Sequence, residues 1–357
     1  VSNTADSGLG SLRQAIVDAN ASPELDTISF NIPGSGPQVI QPVTELPEVT
    51  QPIVVDGYTQ PGSAPNSAPF DQPINAVLKI QLDGSNLFSC TESRFSGVPP
   101  RGLYVTGGTS TVRGLVISCF PGSGLEFGSN GGNTITGNFI GTDPTGMVSQ
   151  RNLRAGVELR SADNLVGGTS PSSRNLISGN GSSFSSTSGI GISMGGSLRL
   201  RIEGNYIGVD ASGTNRLANG IGIAGSCRES VIGGLEPQAR NLISGNRRDG
   251  IFLQGGENCR IQGNLIGTDL LGTSAVGNGE RGIHTTGSGL RGILIGGTMP
   301  GAGNVISATR GGPATPTGEG ILINGSNHVI QGNLIGTDIT GTRALGNRAS
   351  GIRLSTG

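Results

Sequence analysis

The sequence predicts an all-β chain, a right-handed, single-stranded parallel β-helix of ten or eleven coils fronted by a short N-terminal capping helix. Two interleaved phrases carry that prediction. Gly-Asn-x-Ile-Gly-x-Asp-x-x-Gly starts at Gly137, Gly204, Gly263 and Gly332, with its asparagines 67, 59 and 69 residues apart. Between the copies lies Arg-Asn-Leu-Ile-Ser-Gly-Asn, from Arg174 and Arg240, with a variant from Gly303. A third observation divides each period in two: short Gly-Ile-x-Ile-like pieces begin at Gly156, Gly189, Gly220, Gly250, Gly282, Gly320 and Gly351, 30 to 38 residues apart. Phrases that drift together describe a stack of similar units. Three short alternating strands per thirty-odd residues, with Gly, Asn and Asp at the corners, suit one coil of a solenoid. The core reading places Ile192, Ile223 and Leu253 in register on successive coils.

Residues 1–26 form the N-terminal segment. Ser11-Leu12-Arg13-Gln14 reads as a capping box, and Leu12, Ala15, Ile16 and Ala19 form one apolar stripe, so a helix is expected over about 12–20. A helix so short needs packing, and covering the open edge of the first coil would supply it. Residues 27–100 read as irregular early coils, with strands in TISFNI, PIVVDG and AVLKIQLDG and long Pro/Ser-rich loops from Tyr58 and Thr91. Residues 101–357 are the regular repeats. The whole is one continuous domain. It stops on the opening strand of a coil, which suggests either a longer natural chain or a second copy stacked head to tail.

Corners without helix require residues tolerant of positive φ, first Gly and then Asn, which accounts for 65 glycines. The repeated Asn138, Asn175, Asn205, Asn241, Asn264, Asn304 and Asn333 suit a structural amide ladder, each side chain donating and accepting along the axis. A continuous ladder needs both phrases to place Asn in one column. Asp143, Asp210, Asp269 and Asp338 are the best-placed acids for chemistry, yet they recur two coils apart, about 9.6 Å, too far for one compact site. They read as turn caps that accept backbone N–H groups within their own Asp-x-x-Gly.

Four cysteines fall into two pairs, 29 and 32 residues apart, about one coil each. Coils about 4.8 Å apart bring such pairs within disulfide reach. Cys90–Cys119 and Cys227–Cys259 are therefore candidate disulfides, with four buried thiols the alternative. Nothing in the cysteine spacing suggests a metal site, and no cofactor is expected.

A formal charge of −1 and a pI near 6.2 offer no electrostatic footprint for nucleic acid, and no apolar run is long enough to span a membrane. A start at Val1 without Met suggests processing, hence a secreted or cell-surface protein. His284 and His328 occupy different phrase positions and read as surface or wall residues. Asp56 and Asp83 end strands and read as turn caps, while Glu92, Arg94 and Arg101 share one long loop where an unrepeated site would sit. With no Trp and scattered tyrosines at 58, 104 and 206, a long sugar groove is poorly supported; Phe30, Phe139 and Phe252 read as core.

The segment SNTADSGLGSLRQAI, followed by NxIxGNxIGTDxxGT and RNxISGN coils, resembles the "CSLREA-type" group of secreted bacterial right-handed β-helix proteins. Gly10 stands where that name implies Cys. The resemblance covers nearly the whole chain and implies a β-helix at the cell surface or beyond, with no assigned activity. The resulting expectation is a non-catalytic extracellular structural solenoid of surface, matrix or fibre type, partnered by itself or by a glycan-bearing surface. The alternatives are a polysaccharide lyase or hydrolase, or a glycan-binding adhesin module.

Overall fold

The computed structural model describes residues 1–90, 95–181, 189–287, 289–312 and 317–355. Three parallel sheets of ten, ten and nine strands run the length of the chain, one strand from each face per coil. The chain is a parallel β-helix.

Every coil repeats the same division of labour. Face one sends Val166, Ile202, Ile232 and Ile261 inward from paired strands. Face two sends Ile177, Ile207, Ile243 and Ile266. On face three the inward register runs Leu125, Val157, Ile192, Ile223, Ile251 and Ile283. Ile251 therefore continues the column expected of Leu253. Leu253 lies inward two pairs further along, opposite Gly225, after which the register shifts. All belong to one contiguous core.

The helix runs Leu12–Asn20, with Leu12, Ile16 and Ala19 buried against the first coil. Ser11 caps it by accepting from the Gln14 amide. The expected reciprocal half of the capping box does not form. The Ser11 N–H is already taken by the Gly8 carbonyl at 3.1 Å, so the Gln14 side chain bonds Asp18 one turn on, at 2.7 Å. Arg13 pins the helix down through Asp6 and the carbonyls of Thr44 and Glu45.

The corners differ. Between faces one and two stands the column Asn138, Asn175, Asn205, Asn241, Asn264, Asn304, Asn333. Each Nδ2 donates to the next Oδ1 at 2.8 to 3.3 Å. Both phrases thus feed one ladder. At Gly204, before Asn205, φ is +75° and a Cβ would meet the Gly168 carbonyl at 2.2 Å, so only glycine fits.

Between faces two and three runs a second ladder, Asn152, Asn180, Asn219, Asn246, Asn278, with Nδ2 to Oδ1 distances of 2.9 to 3.1 Å.

The third corner departs from the Gly-then-Asn expectation. Two residues before their face-one strands, Gly132, Gly292, Asn258 and Asn327 keep to it, but Thr109, Asp163, Arg199 and Glu229 have φ between 43° and 60° as well. Left-handed backbone costs an L-residue about 1 kcal/mol. Polar partners at this corner offset part of that, as where Arg199 bonds Asp163 one coil away at 2.7 Å.

Both disulfides are formed, Cys90–Cys119 and Cys227–Cys259, with Cα separations of 4.9 and 5.7 Å. Asp83 lies beside the first pair, but bonded sulfurs offer no thiolate to a metal. Among the described residues no helix is long and apolar enough to cross a membrane.

Candidate functional site

Each Asp-x-x-Gly phrase folds as a small antiparallel hairpin at the end of its face-two strand, bridged Thr142 to Ser149, Val209 to Arg216, Thr268 to Ala275 and Thr337 to Ala344. Asp143 accepts from the amides of Met147 and Val148, and Asp210 from Ser212 and Asn215. Asp269 accepts from Thr273 and Ser274, and Asp338 from Thr340, Thr342 and Arg343. These bonds hold the Asp338 carboxyl below its usual range, the Thr340 hydroxyl first among them.

The hairpins touch one another although they arise two coils apart. The amides of Ala211, Leu270 and Ile339 donate to Gly146, Gly213 and Gly272 of the preceding hairpin at 2.9 to 3.1 Å. Pro144, in the first hairpin, occupies the same position and has no N–H to give. Folded over face two, the column covers Phe139, Leu176, Tyr206, Leu242, Leu265 and Val305, which form a second core with Phe70 and Leu78. Phe139 is thus buried outside the coils, whereas Phe30 lies in the main core. The loop from Tyr58 joins this cover: Ile74 donates to Ala211 at 2.9 Å, and the Tyr206 hydroxyl donates to the carbonyls of Phe70 and Gln72.

Among the described residues no hairpin column folds over face three, and apart from the paired Glu126 and Glu158 its outward side chains differ from coil to coil. In register they are Tyr104, Glu126, Glu158, Ser193, Ala224, Phe252, His284, Leu322 and Arg353. Phe252 therefore lies on the outer surface, not in the core. Its strand points Ile251 and Leu253 inward, and its ring stacks on His284 with centroids 4.7 Å apart.

Two polar clusters stand on this face. The first holds Glu126 and Glu158 on adjacent coils, each 4 % exposed. Arg160 bridges them, at 3.3 Å from Glu126 and 2.9 Å from Glu158. Arg101 reaches Glu126 at 3.6 Å while bonding Glu45 at 2.7 Å and lying 3.9 Å over the Tyr104 ring. The Ser123 hydroxyl donates to Glu158 at 2.8 Å. Burial first, and then the Glu158 charge, push the Glu126 carboxyl above its ordinary range.

The second cluster lies farther along. Asp249, fully buried, contacts His284 Nδ1 through Oδ2 at 3.1 Å. Arg281 approaches Asp249 at 3.5 Å and Glu319 at 3.3 Å, and Arg353 bonds Glu319 at 3.1 Å. Burial raises the Glu319 carboxyl, but its own backbone amide, Arg353 and Arg281 outweigh burial and hold it low. An Asp on Nδ1 fixes the ring and favours the tautomer with an open lone pair on Nε2. Such a pair can take up a proton from a bound molecule.

Of the residues singled out in the sequence, His284 and Arg101 fall in these clusters. His328 does not. Its Nδ1 accepts from the Ile293 amide and its Nε2 lies 3.1 Å from the Asn324 carbonyl, so it serves a turn. Asp56 and Asp83 each cap a short 3-10 turn, and Asp56 also pairs with Arg113 at 2.7 Å. Glu92 and Arg94 lie outside the described residues. Sequence reasoning passed over Glu126, Glu158, Asp249 and Glu319. A signal existed: GLEF from Gly124 and GVEL from Gly156 are 32 residues apart and place Glu at the same outward position.

No family model and no curated protein matches the chain. Among solved structures, the A-module of the Azotobacter vinelandii mannuronan C-5 epimerase AlgE6 is similar at 13 % identity and a TM-score of 0.39, over 90 % of this chain and 93 % of that one. The catalytic domain of a GH87 alpha-1,3-glucanase in complex with nigerose is similar at 11 % identity and a TM-score of 0.29; the match covers 99 % of this chain and 64 % of that domain. Likenesses of this size carry no functional inference for the chain.

Proposed function

We propose that the chain is an extracellular, non-catalytic β-solenoid that serves as a structural rod. The observation that carries the reading is where the repeated polar residues go: the seven asparagines bond one another and the backbone in an unbroken column. The four aspartates likewise cap their own hairpins. Residues selected for binding or reactivity would have no reason to recur at every coil, as the asparagines do, or at every second coil, as the aspartates do. Two disulfides support an oxidising compartment. The test is to incubate the purified chain with neutral and anionic polysaccharides and with proteases. The reading expects no new reducing or unsaturated ends and prolonged resistance to digestion, and reproducible turnover would overturn it.

A second reading is a glycan-acting lyase or hydrolase working on face three. It is favoured by the Asp249–His284 pair, whose ring stands on face three with Arg281 3.4 Å from Nδ1. In that reading Nε2 takes a proton from the sugar carbon beside its carboxylate, the electron pair of that C–H bond expels the neighbouring glycosidic oxygen, which is protonated from solvent, and Asp249 stabilises the resulting imidazolium. Turnover abolished by His284→Ala, with folding intact, would favour it over the rod.

A further inference from the structure

A cleft of about 720 Å³ opens between the Tyr58 loop and the hairpin column, outside face two and away from face three. Its walls are mostly apolar, with Phe70, Pro171, Pro237, Leu270, Leu271 and Ile339 lining it, and Leu271 is 51 % exposed. Two arginines from the same repeat position, Arg174 and Arg240, also line it.

Neither arginine has a carboxylate within 4 Å among the described residues, whereas most arginines of face three do. Arg174 is 4 % exposed and lies over the rings of Tyr206 and Phe70 at 4.9 and 5.2 Å. One of its terminal nitrogens donates to Pro69 and Ala68, but its Nε is buried without a partner. Arg240 Nε finds the Gly263 carbonyl of the next coil at 2.8 Å. The matching carbonyl for Arg174 is Gly204, to which it makes no bond. Asp71 and Glu236 are exposed at the mouth and pair with neither. Burial lowers the pKa of both guanidinium groups, and at Arg174 the charges of Tyr206 and Asp71 offset only part of it, the expected cost of desolvated charge without a close ion pair.

We propose that this cleft is a binding site for a small amphipathic carboxylate, its anionic head against Arg174 and Arg240 and its apolar body against the Leu270, Leu271 and Ile339 wall. A planar carboxylate matches the guanidinium fork and supplies the missing counter-charge. A cleft of this volume accommodates a ligand of ordinary small-molecule size. The site is independent of the rod reading, since a scaffold and an enzyme could each carry it.

Calorimetric titration of the intact chain with decanoate tests the proposal, beside decanol as the neutral head and galacturonate as a carboxylate on a polar body. Decanoate is expected to bind saturably, at least tenfold tighter than either comparator. Arg240→Gln should weaken decanoate at least tenfold and leave decanol unchanged, with Arg240→Lys intermediate. Equal binding of decanoate and decanol would overturn the anionic half of the proposal, and tighter binding of galacturonate the apolar half. Absence of decanoate binding to a chain with native circular dichroism would overturn the whole. Because none of these readouts is glycan turnover, failure here leaves the rod reading standing.

Discussion

Faces two and three are built from the same coils, yet only one of them is buried on both sides. Face two is covered by the hairpin column and the Tyr58 loop, and its outward residues are apolar in every regular coil. Among the described residues face three has no comparable cover, and its outward residues change from Tyr to Glu to Ser to Phe to His. Where a side chain supports its neighbours, one answer serves every coil and the sequence repeats. Where it faces solvent or a ligand, nothing enforces repetition. In this chain, the break in periodicity points to sites better than the motif does.

The largest expected effect belongs to the ladder beside face two. Asn205→Ala removes an acceptor from Asn175 and donors to Val166, Glu203 and Asn241, all buried. At about 1 kcal/mol for each of these four groups, the lower end for buried polar groups, a loss of about 4 kcal/mol is expected in denaturant titration. Ser193→Ala on face three should stay within about 0.5 kcal/mol. Similar losses at both positions would break the comparison. Opening the Cys227–Cys259 link by paired Cys→Ala substitution frees a loop of 32 residues and should cost about 3.5 kcal/mol by loop entropy. Tyr206→Phe leaves the Phe70 and Gln72 carbonyls without their donor. It should cost about 1–2 kcal/mol, and limited proteolysis should cut first within the Tyr58 loop.

The smallest effects sharpen the contrast within face three. The Glu126 carboxyl sits above its ordinary 4.5, so the stability it contributes is present below that pH and lost as pH rises through the raised value. Glu126→Gln removes that loss while Arg160 keeps Glu158 and Arg101 keeps Glu45. Relative to the parent, its melting temperature should rise between pH 4 and pH 7. Glu319 is held low, so its contribution is present above 4.5 and lost as pH falls through the lowered value. Glu319→Gln should cost about 1 kcal/mol at neutral pH and less on acidification. Parallel pH slopes for the two variants would contradict the assignment.

Most of the frame was legible because it follows from periodicity. The helix at Leu12–Asn20, the three strands per coil and both cysteine pairs follow from spacing and alternation. The second core was also encoded, in the doubled apolar pairs Phe139–Ile140 and Leu176–Ile177, since a strand buried on both faces does not alternate. What hid it was its cover, which arrives from hairpins two coils apart and a loop more than sixty residues earlier. The second ladder was half visible in the closing Asn of Arg-Asn-Leu-Ile-Ser-Gly-Asn, at Asn180 and Asn246. Its other members, Asn152, Asn219 and Asn278, each stand nine residues after the repeated Asp, at Asp143, Asp210 and Asp269, a recurrence beyond the end of the phrase that also marks them. The polar clusters of face three were the least legible. Asp249, Arg281 and Glu319 each stand just before a Gly-Ile piece, so the repeat aligns their positions, but the residue type changes from coil to coil and nothing in the phrase marks them as partners.

Both amide ladders point the same way. From Asn138 to Asn333, and from Asn152 to Asn278, every Nδ2 donor faces the next residue toward the C-terminus. Amide dipoles aligned head to tail polarise one another and add, as peptide dipoles do in an α-helix. The solenoid therefore has an electrical direction along its axis as well as a chemical one, with the positive pole on the C-terminal side of each ladder.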